Sequence, residues 1–304
     1  MKQYFQMVIF IGSSLIVLPL LVLLISGIPI GAKNSDELQQ VELTMQQKKD
    51  DIMEEETLIG ILAKEIPYTY EKEAIKAQAV VERTYMARRI LGIQNKGGIV
   101  GYTVEEMKGL WGDSYDKNYS IYKQAVEETK GKLILFNKQP IEALYHKASS
   151  GRTRDAKEVY GIDVPYLKGV DSHVDAISKQ ITYTKKEVRS RLLDEYESFA
   201  VEEEELAQQI QIVEKDDAGY VKMLQIGNIT IKGEDFRKLL ELPSCAFKIY
   251  ESKDKLIFDI RGIGNGVGLS QNGANELAKQ GEEYEQILHA YYTEIEIGDY
   301  EFQK

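Results

Sequence analysis

Four carboxylates, Glu65, Glu71, Glu73 and Glu82, fall within the stretch GILAKEIPYTYEKEAIKAQAVVERTY at residues 60–85. One carboxyl group can act first as a general acid and then as a general base, if its surroundings favour the protonated form near neutral pH. Apolar neighbours do this by penalising the ionised form. At about 100° per residue, Glu65 falls between Ile61 and Leu58, with Leu62 and Ile66 close by, inside the apolar arc of its helix. A carboxyl group there is shielded, which makes Glu65 the candidate acid. Glu71 and Glu73 lie in the first turn of the next helix, where the macrodipole favours anions. Glu82, near Ile75, Gln78 and Met86, is the rival. The bland alternative is a partly buried Glu65 paired with Arg83 or Arg88.

The elements that must position these groups follow from periodicity. A helix starts at Thr57 and ends before Pro67, and a second runs from Glu71 to Leu91 with Ala74, Ala77, Val81 and Tyr85 along one stripe. Residues 101–115 read as a loop or short helix, and 119–146 as helix, strand, turn and strand. A long polar loop covers 147–175, of a length that often carries function. Residues 185–208 are dense in charge and read as a helical solvated face or arm. Strands are expected at 209–215, 220–226, 228–232, 246–252 and 255–261, then helices at 274–281 and 284–292 and a short strand near Ile295. Helices, then strands, then helices predict an α+β fold of mixed helices and short strands.

Composition narrows the function. The 304 residues suffice for one large or two modest domains, and a net charge of −11 leaves no basic stripe for nucleic acid. One cysteine, Cys245, excludes an intramolecular disulfide and a CxxC zinc site, and it reads as a small core residue. After Lys2 no charge occurs before Lys33, so residues 7–32 are long enough to form a single transmembrane helix. We expect a short cytoplasmic tail at 1–6, a retained anchor at 7–32, a polar spacer at 33–56 and a catalytic domain at 57–304 outside the cell membrane.

Three blocks carry a resemblance. Glu65-Ile66-Pro67, Glu73-Ala74-Ile75-Lys76-Ala77-Gln78-Ala79 and Arg83-Thr84-Tyr85 are similar to a Glu-Met-Pro step followed by a helix ending in Ala-Arg-Thr-Tyr. YHKASSGRTRDAKEVYGIDVPYLKGVDS and GIGNGVGLSQNGANELAKQGEEYEQILHAYY supply the second and third blocks. Together they resemble the SpoIID/LytB family. The resemblance implies a lytic transglycosylase acting on peptidoglycan glycan strands stripped of stem peptides. Its catalytic residue would be Glu65. It further implies septal wall remodelling during sporulation engulfment, with an amidase and a membrane scaffold as partners. Arg83, Tyr85, His146, Ser149, Asn265, Ser270 and Gln271 are the candidate substrate-binding residues.

Departures from the pattern keep alternatives open. The second block has no thiolate beside His146, and His146 and His173 are too few for zinc, so neither metal nor other cofactor is expected. His146 reads equally as a hydrogen-bonding loop residue or part of the cleft. Asn265 stands where the family has His and cannot change charge. Gly264, Gly266 and Gly268 allow a tight backbone path without forming a dinucleotide fingerprint. Ser270 and Gln271 suit sugar hydroxyls or helix capping. Trp111 and the 19 tyrosines offer ring faces, most of them for packing. A wall-binding scaffold without activity, and a hydrolase pairing Glu65 with Glu82, are the competing functions.

Overall fold

The computed structural model describes residues 55–93, 100–175 and 177–299. Helix α1 (Glu55–Glu65) packs on α2 (Lys72–Ile90) and α4 (Tyr115–Glu128), with α3 (Val104–Trp111) beside them. Leu58, Ile61, Leu62 and Ile66 of the first segment meet Ile75, Ala79 and Met86 of α2 and Tyr122, Ala125 and Val126 of α4. The opposite face of α2, through Ala74, Ala77, Val80 and Val81, enters a second cluster with Ile134, Leu269, Ile287 and Tyr291. Covered on both sides, α2 buries twelve of its residues. It is the axle of the molecule, and small side chains let its neighbours come close.

An antiparallel sheet, in order β11 (Glu296–Asp299), β1 (Lys132–Phe136), β2 (Gln139–Pro140), lies against α2. A second link is the two-residue parallel ladder of β3 (Tyr145–His146) and β10 (Leu269–Ser270), which pairs Leu269 with Tyr145. Helices α9 (Gln271–Lys279) and α10 (Tyr284–Tyr291) close this core, and α5 (Ala156–Tyr160) is a short turn within the polar loop expected at 147–175.

Between β3 and β10 the chain builds another core. Its sheets are β4 (Ser178–Thr184), β9 (Lys255–Arg261) and β8 (Ala246–Ser252), and β5 (Ile210–Lys215), β6 (Val221–Ile226) and β7 (Ile229–Lys232). Strand β4 was not anticipated, because SKQITYT alternates weakly and faces solvent at its start. The expected charged helix at 185–208 divides into α6 (Lys185–Glu195) and α7 (Leu206–Gln209). It is more than a solvated arm: Val188 and Leu192 are fully buried, and Phe199, Val201 and Leu206 join Phe236, Phe247 and Phe258 in the core. A further helix, α8 (Gly233–Leu239), supplies Phe236. The mixed α+β class holds. Among the described residues no helix is long and apolar enough to cross a membrane, and the expected anchor at 7–32 lies outside them.

Candidate active site

Pro67 stops α1, so Glu65 occupies its last turn, where the side chain passes the end of the apolar core and stays half-buried. The following backbone is pinned: Tyr122 donates its hydroxyl to the Ile66 carbonyl at 2.6 Å. Two residues from distant segments complete the setting. Tyr145 of β3 donates its hydroxyl to Glu65 Oε2 at 2.9 Å. Gln271, the first residue of α9, donates Nε2 to the Glu65 carbonyl at 3.0 Å and to Gln78 Oε1 at 3.3 Å.

Both arrive through the β3–β10 ladder, and the ladder depends on Gly268. Gly268 has φ +75°, and a Cβ there would lie 1.9 Å from the Leu144 carbonyl oxygen. Without that atom, Leu269 N reaches the same oxygen at 3.0 Å.

Behind Tyr145 lies Glu82, fully buried on α2. Gln78 donates Nε2 to its Oε1 at 2.8 Å, whereas Oε2 is buried without a hydrogen-bond partner. Burial pushes this carboxyl up to about 7, with the polar groups of Tyr145 and Gln78 opposing the rise and the neighbouring Glu65 charge adding to it. Burial, followed by the two carboxylates, drives the Tyr145 phenol far above its ordinary range. The angular reading placed the shielded carboxyl at Glu65. The structure puts the deeper shielding at Glu82, which lies on the buried middle of α2, covered on two faces, whereas Glu65 sits at the partly exposed end of α1.

The remaining candidates separate. Adjacent strand residues point to opposite faces, so His146 turns away from Glu65. Its Nδ1 donates to the Val267 carbonyl at 3.1 Å, its Nε2 is buried without a partner, and burial lowers it to about 4, leaving a neutral ring. Ser149 and Ser270 converge on Asp175, a buried residue with no distinguishing mark in the sequence. Ser149 N donates to Asp175 Oδ2 at 2.5 Å, the Ser270 hydroxyl donates to the same oxygen, and Asn272 Nδ2 reaches Oδ1 at 3.0 Å. Ser270 also caps α9 by accepting from Gly273 N. Asp175 therefore ties the second block to the third.

Asn265 sits in the glycine turn, donating to the Tyr160 hydroxyl at 3.0 Å and accepting from Val267 N at 3.1 Å, apart from the Glu65 group. Arg83 is buried, with Nη1 donating to the Thr129 carbonyl at 2.7 Å and Nη2 to the Val126 carbonyl at 3.1 Å, so it closes the end of α4. Arg88 likewise donates to the Pro140 carbonyl. Tyr85 is half-buried on the same stripe of α2 as Gln78 and Glu82. Of the candidates, Glu65 and Gln271 are brought together directly; the residues that join them, Tyr145, Gln78 and Glu82, were missed as a set because only the fold unites them. Tyr68 and Trp111 meet edge to face at 6.2 Å between centroids, three residues past Glu65, and continue into Tyr115 and Tyr119.

Among the described residues no group of three or more His, Cys, Asp or Glu is placed to hold a metal ion. Cys245 is buried in a small cluster with Tyr220 and Ala246, as a core residue would be.

Comparison with known proteins places this geometry in context. The family model for "Stage II sporulation protein", SpoIID, matches residues 44–136, which include Glu65, Gln78 and Glu82. Stage II sporulation protein D of Bacillus subtilis is 32% identical over 268 residues, covering 84% of this chain and 77% of that protein. The Bacillus amyloliquefaciens protein of the same name is 29% identical over 288 residues, covering 88% and 80%. The amidase enhancer of Bacillus subtilis is 25% identical over 297 residues, covering 80% of this chain and 40% of its own length. With 32% identity to Stage II sporulation protein D of Bacillus subtilis spanning most of both chains, and a family model matching the helices that carry Glu65, this protein belongs to the SpoIID family.

Proposed function

We propose that the chain is a peptidoglycan lytic transglycosylase that cleaves the bond between N-acetylmuramic acid and N-acetylglucosamine and leaves 1,6-anhydro ends. Protonated Glu65 donates to the glycosidic oxygen as the C1–O bond breaks. The resulting carboxylate takes the proton of the muramic acid 6-hydroxyl as that oxygen attacks C1. Glu65 ends protonated again, and no water is consumed. Because the nucleophile belongs to the substrate, effective molarity replaces a second carboxylate.

The observation that carries this reading is the half-exposed Glu65 carboxyl, aimed by the Tyr145 hydroxyl and held at its backbone by Gln271. Hydrolytic glycosidases mostly set two carboxyls on opposite sides of the scissile bond. Glu82, which interacts with Glu65 by charge, is fully buried and cannot face a sugar. Tyr68, exposed three residues past Glu65 and braced edge-on by Trp111, offers an aromatic ring for stacking on pyranose. We place the domain outside the cell membrane on the anchor at 7–32, acting on peptide-stripped septal wall during sporulation engulfment with a membrane scaffold. An amidase partner is motivated by the relative named amidase enhancer.

The test is the mass of the ends released from peptide-stripped glycan by the parent and Glu65→Gln. Anhydro ends from the parent alone support the reading. Reducing ends indicate a hydrolase, and bound but uncut strands indicate a scaffold.

A further inference from the structure

The last turn of a helix leaves carbonyl oxygens without partners inside the helix, and the carbonyl of Glu65, at the end of α1, is one of them. Gln271 Nε2 supplies its hydrogen bond at 3.0 Å from α9. The same amino group donates to Gln78 Oε1 at 3.3 Å, and Gln78 Nε2 donates in turn to Glu82 Oε1 at 2.8 Å. Four residues from three helices thus form one chain of hydrogen bonds. It begins at the backbone of the candidate acid and ends at a carboxyl fully buried on α2. Gln78 is fully buried as well, and Gln271 nearly so. Their backbones are fixed: Gln271 directly follows the β3–β10 ladder, and Gln78 and Glu82 lie one turn apart on α2. What remains free is the direction of each amide, because a glutamine turned over exchanges its donor for its acceptor.

The two ends settle that direction. The Glu65 carbonyl can only accept, and Glu82 Oε1 accepts whether or not the other oxygen carries a proton. With an acceptor at each end, a consistent chain turns the Gln78 amino group toward Glu82, the Gln78 oxygen toward Gln271 and the Gln271 amino group toward Glu65, as observed. An apolar residue at position 82 would strand the buried Gln78 amino group, which costs more than the bond itself. Gln78 regains a partner by turning toward Gln271 and taking its oxygen. Gln271 must then turn too, setting that oxygen against the Glu65 carbonyl, and the end of α1 is released. A buried carboxyl is costly where an aliphatic side chain would pack; at the end of this chain it has a specific use. We propose that Glu82 is a positioning residue for Glu65: it sets the polarity of the Gln78 and Gln271 amides and through them holds the turn that carries the acid. The proposal rests on Glu65 being the acid of the reading above. It requires no proton transfer from Glu82 and no contact between Glu82 and a sugar.

The experiment uses the full-length chain in detergent, with nitrogen-15 in its glutamine side chains. Parent, Glu82→Leu, Glu82→Gln, Gln78→Leu and the Gln78→Leu/Glu82→Leu double variant are compared. Three quantities are read: kcat and KM on peptide-stripped glycan, the urea midpoint, and solvent exchange of the Gln271 side-chain amide by NMR. Loss of one neutral hydrogen bond that aims the acid corresponds to about fivefold in rate. Glu82→Leu should therefore lose about fivefold in kcat with KM and the urea midpoint held, and its Gln271 amide should exchange faster by a similar factor. Glu82→Gln should rescue both readouts, because its amide oxygen can accept from Gln78. Gln78→Leu breaks the chain at its middle and should lose as much as Glu82→Leu, with the double variant losing no more than either. Parent-like kcat in Glu82→Leu, a loss that Gln does not rescue, a loss that follows a lowered urea midpoint, or losses that add in the double variant overturns the proposal. Should Glu82→Leu not fold, Gln78→Leu, which leaves the carboxyl in place, decides by kcat and Gln271 exchange. A protein that cuts no glycan while its Gln271 amide responds as described keeps the positioning role and removes the transglycosylase reading. Cutting that none of these variants alters keeps that reading and removes the positioning role.

Discussion

Replacing Tyr145 by Phe deletes one oxygen and leaves the ring in place. That oxygen donates to Glu65 Oε2 at 2.9 Å and also faces Glu82. A hydrogen bond to a charged group contributes about 1.5–3 kcal/mol, and water can partly replace it at a half-exposed carboxyl, so the lower end applies. About 1.5 kcal/mol corresponds to roughly tenfold in rate if Glu65 must hold one rotamer to reach the glycosidic oxygen. The loss should appear in kcat with KM nearly unchanged, because Tyr145 orients the acid and does not grip the distant sugars. Stability should fall by less than about 1 kcal/mol in urea, since the ring still packs and Glu65 rehydrates. The assay is steady-state release of anhydro ends from peptide-stripped strands, set beside urea unfolding of the same preparation. A Phe variant that cuts within twofold of the parent at every pH would falsify the assignment of Tyr145 as the group that aims Glu65. A variant that fails to fold would refute the claim that its role is local.

Other outcomes follow from the same packing. Arg154 is buried against Asp216 at 2.6 Å and also reaches Glu234 at 3.2 Å and the Asn265 carbonyl at 3.2 Å; Arg154→Met strands buried Asp216 and should cost about 3–5 kcal/mol in urea unfolding. Gly268→Ala should cost at least about 2 kcal/mol and abolish cutting, because it forces a Cβ onto the Leu144 carbonyl at a positive φ. Glu82 has a raised folded-state value, about 7 against 4.5, so its stabilising contribution is complete below pH 4.5 and disappears as pH rises through 7. Glu82→Gln should therefore match the parent near pH 4 and exceed it by about 3 kcal/mol at pH 8 in denaturant titrations. His146 has the opposite sign: lowered from 6.5 to about 4, it takes up protons preferentially in the unfolded chain, so stability falls as pH drops through that window. In Glu82→Gln this acid-side slope should stand uncovered, and an added His146→Gln should flatten it.

Much of the fold is written locally. Pro67 marks the end of α1, alternating residues mark β6 and β9, and the charged segment around Glu187 reveals a helix start at Thr184, whose capping box is formed in the structure. The sequence misled where tertiary packing decides. The charge of residues 185–195 hid Val188 and Leu192, two apolar residues that suffice to anchor a core. The candidate acid at Glu65 was legible because a proline follows it and an apolar arc precedes it. Its surroundings were not, since Tyr145 lies 80 residues away and Gln271 206 residues away from it in the chain. Helix angle alone ranks Glu65 above Glu82, because angle carries no information about how many neighbours enclose a helix.

The ladder of β3 and β10 has a consequence for biosynthesis. Ala148 through Val267, with the whole second core, emerges between its two strands, so Gln271 reaches Glu65 only after nearly all of the polypeptide has been made and the detour has folded back. A nascent or truncated product ending before position 271 already contains the acid but lacks the amide that fixes its backbone and the partner strand that aligns Tyr145. If the proposed chemistry holds, chain connectivity itself keeps an incomplete product from assembling the aligned Glu65 group.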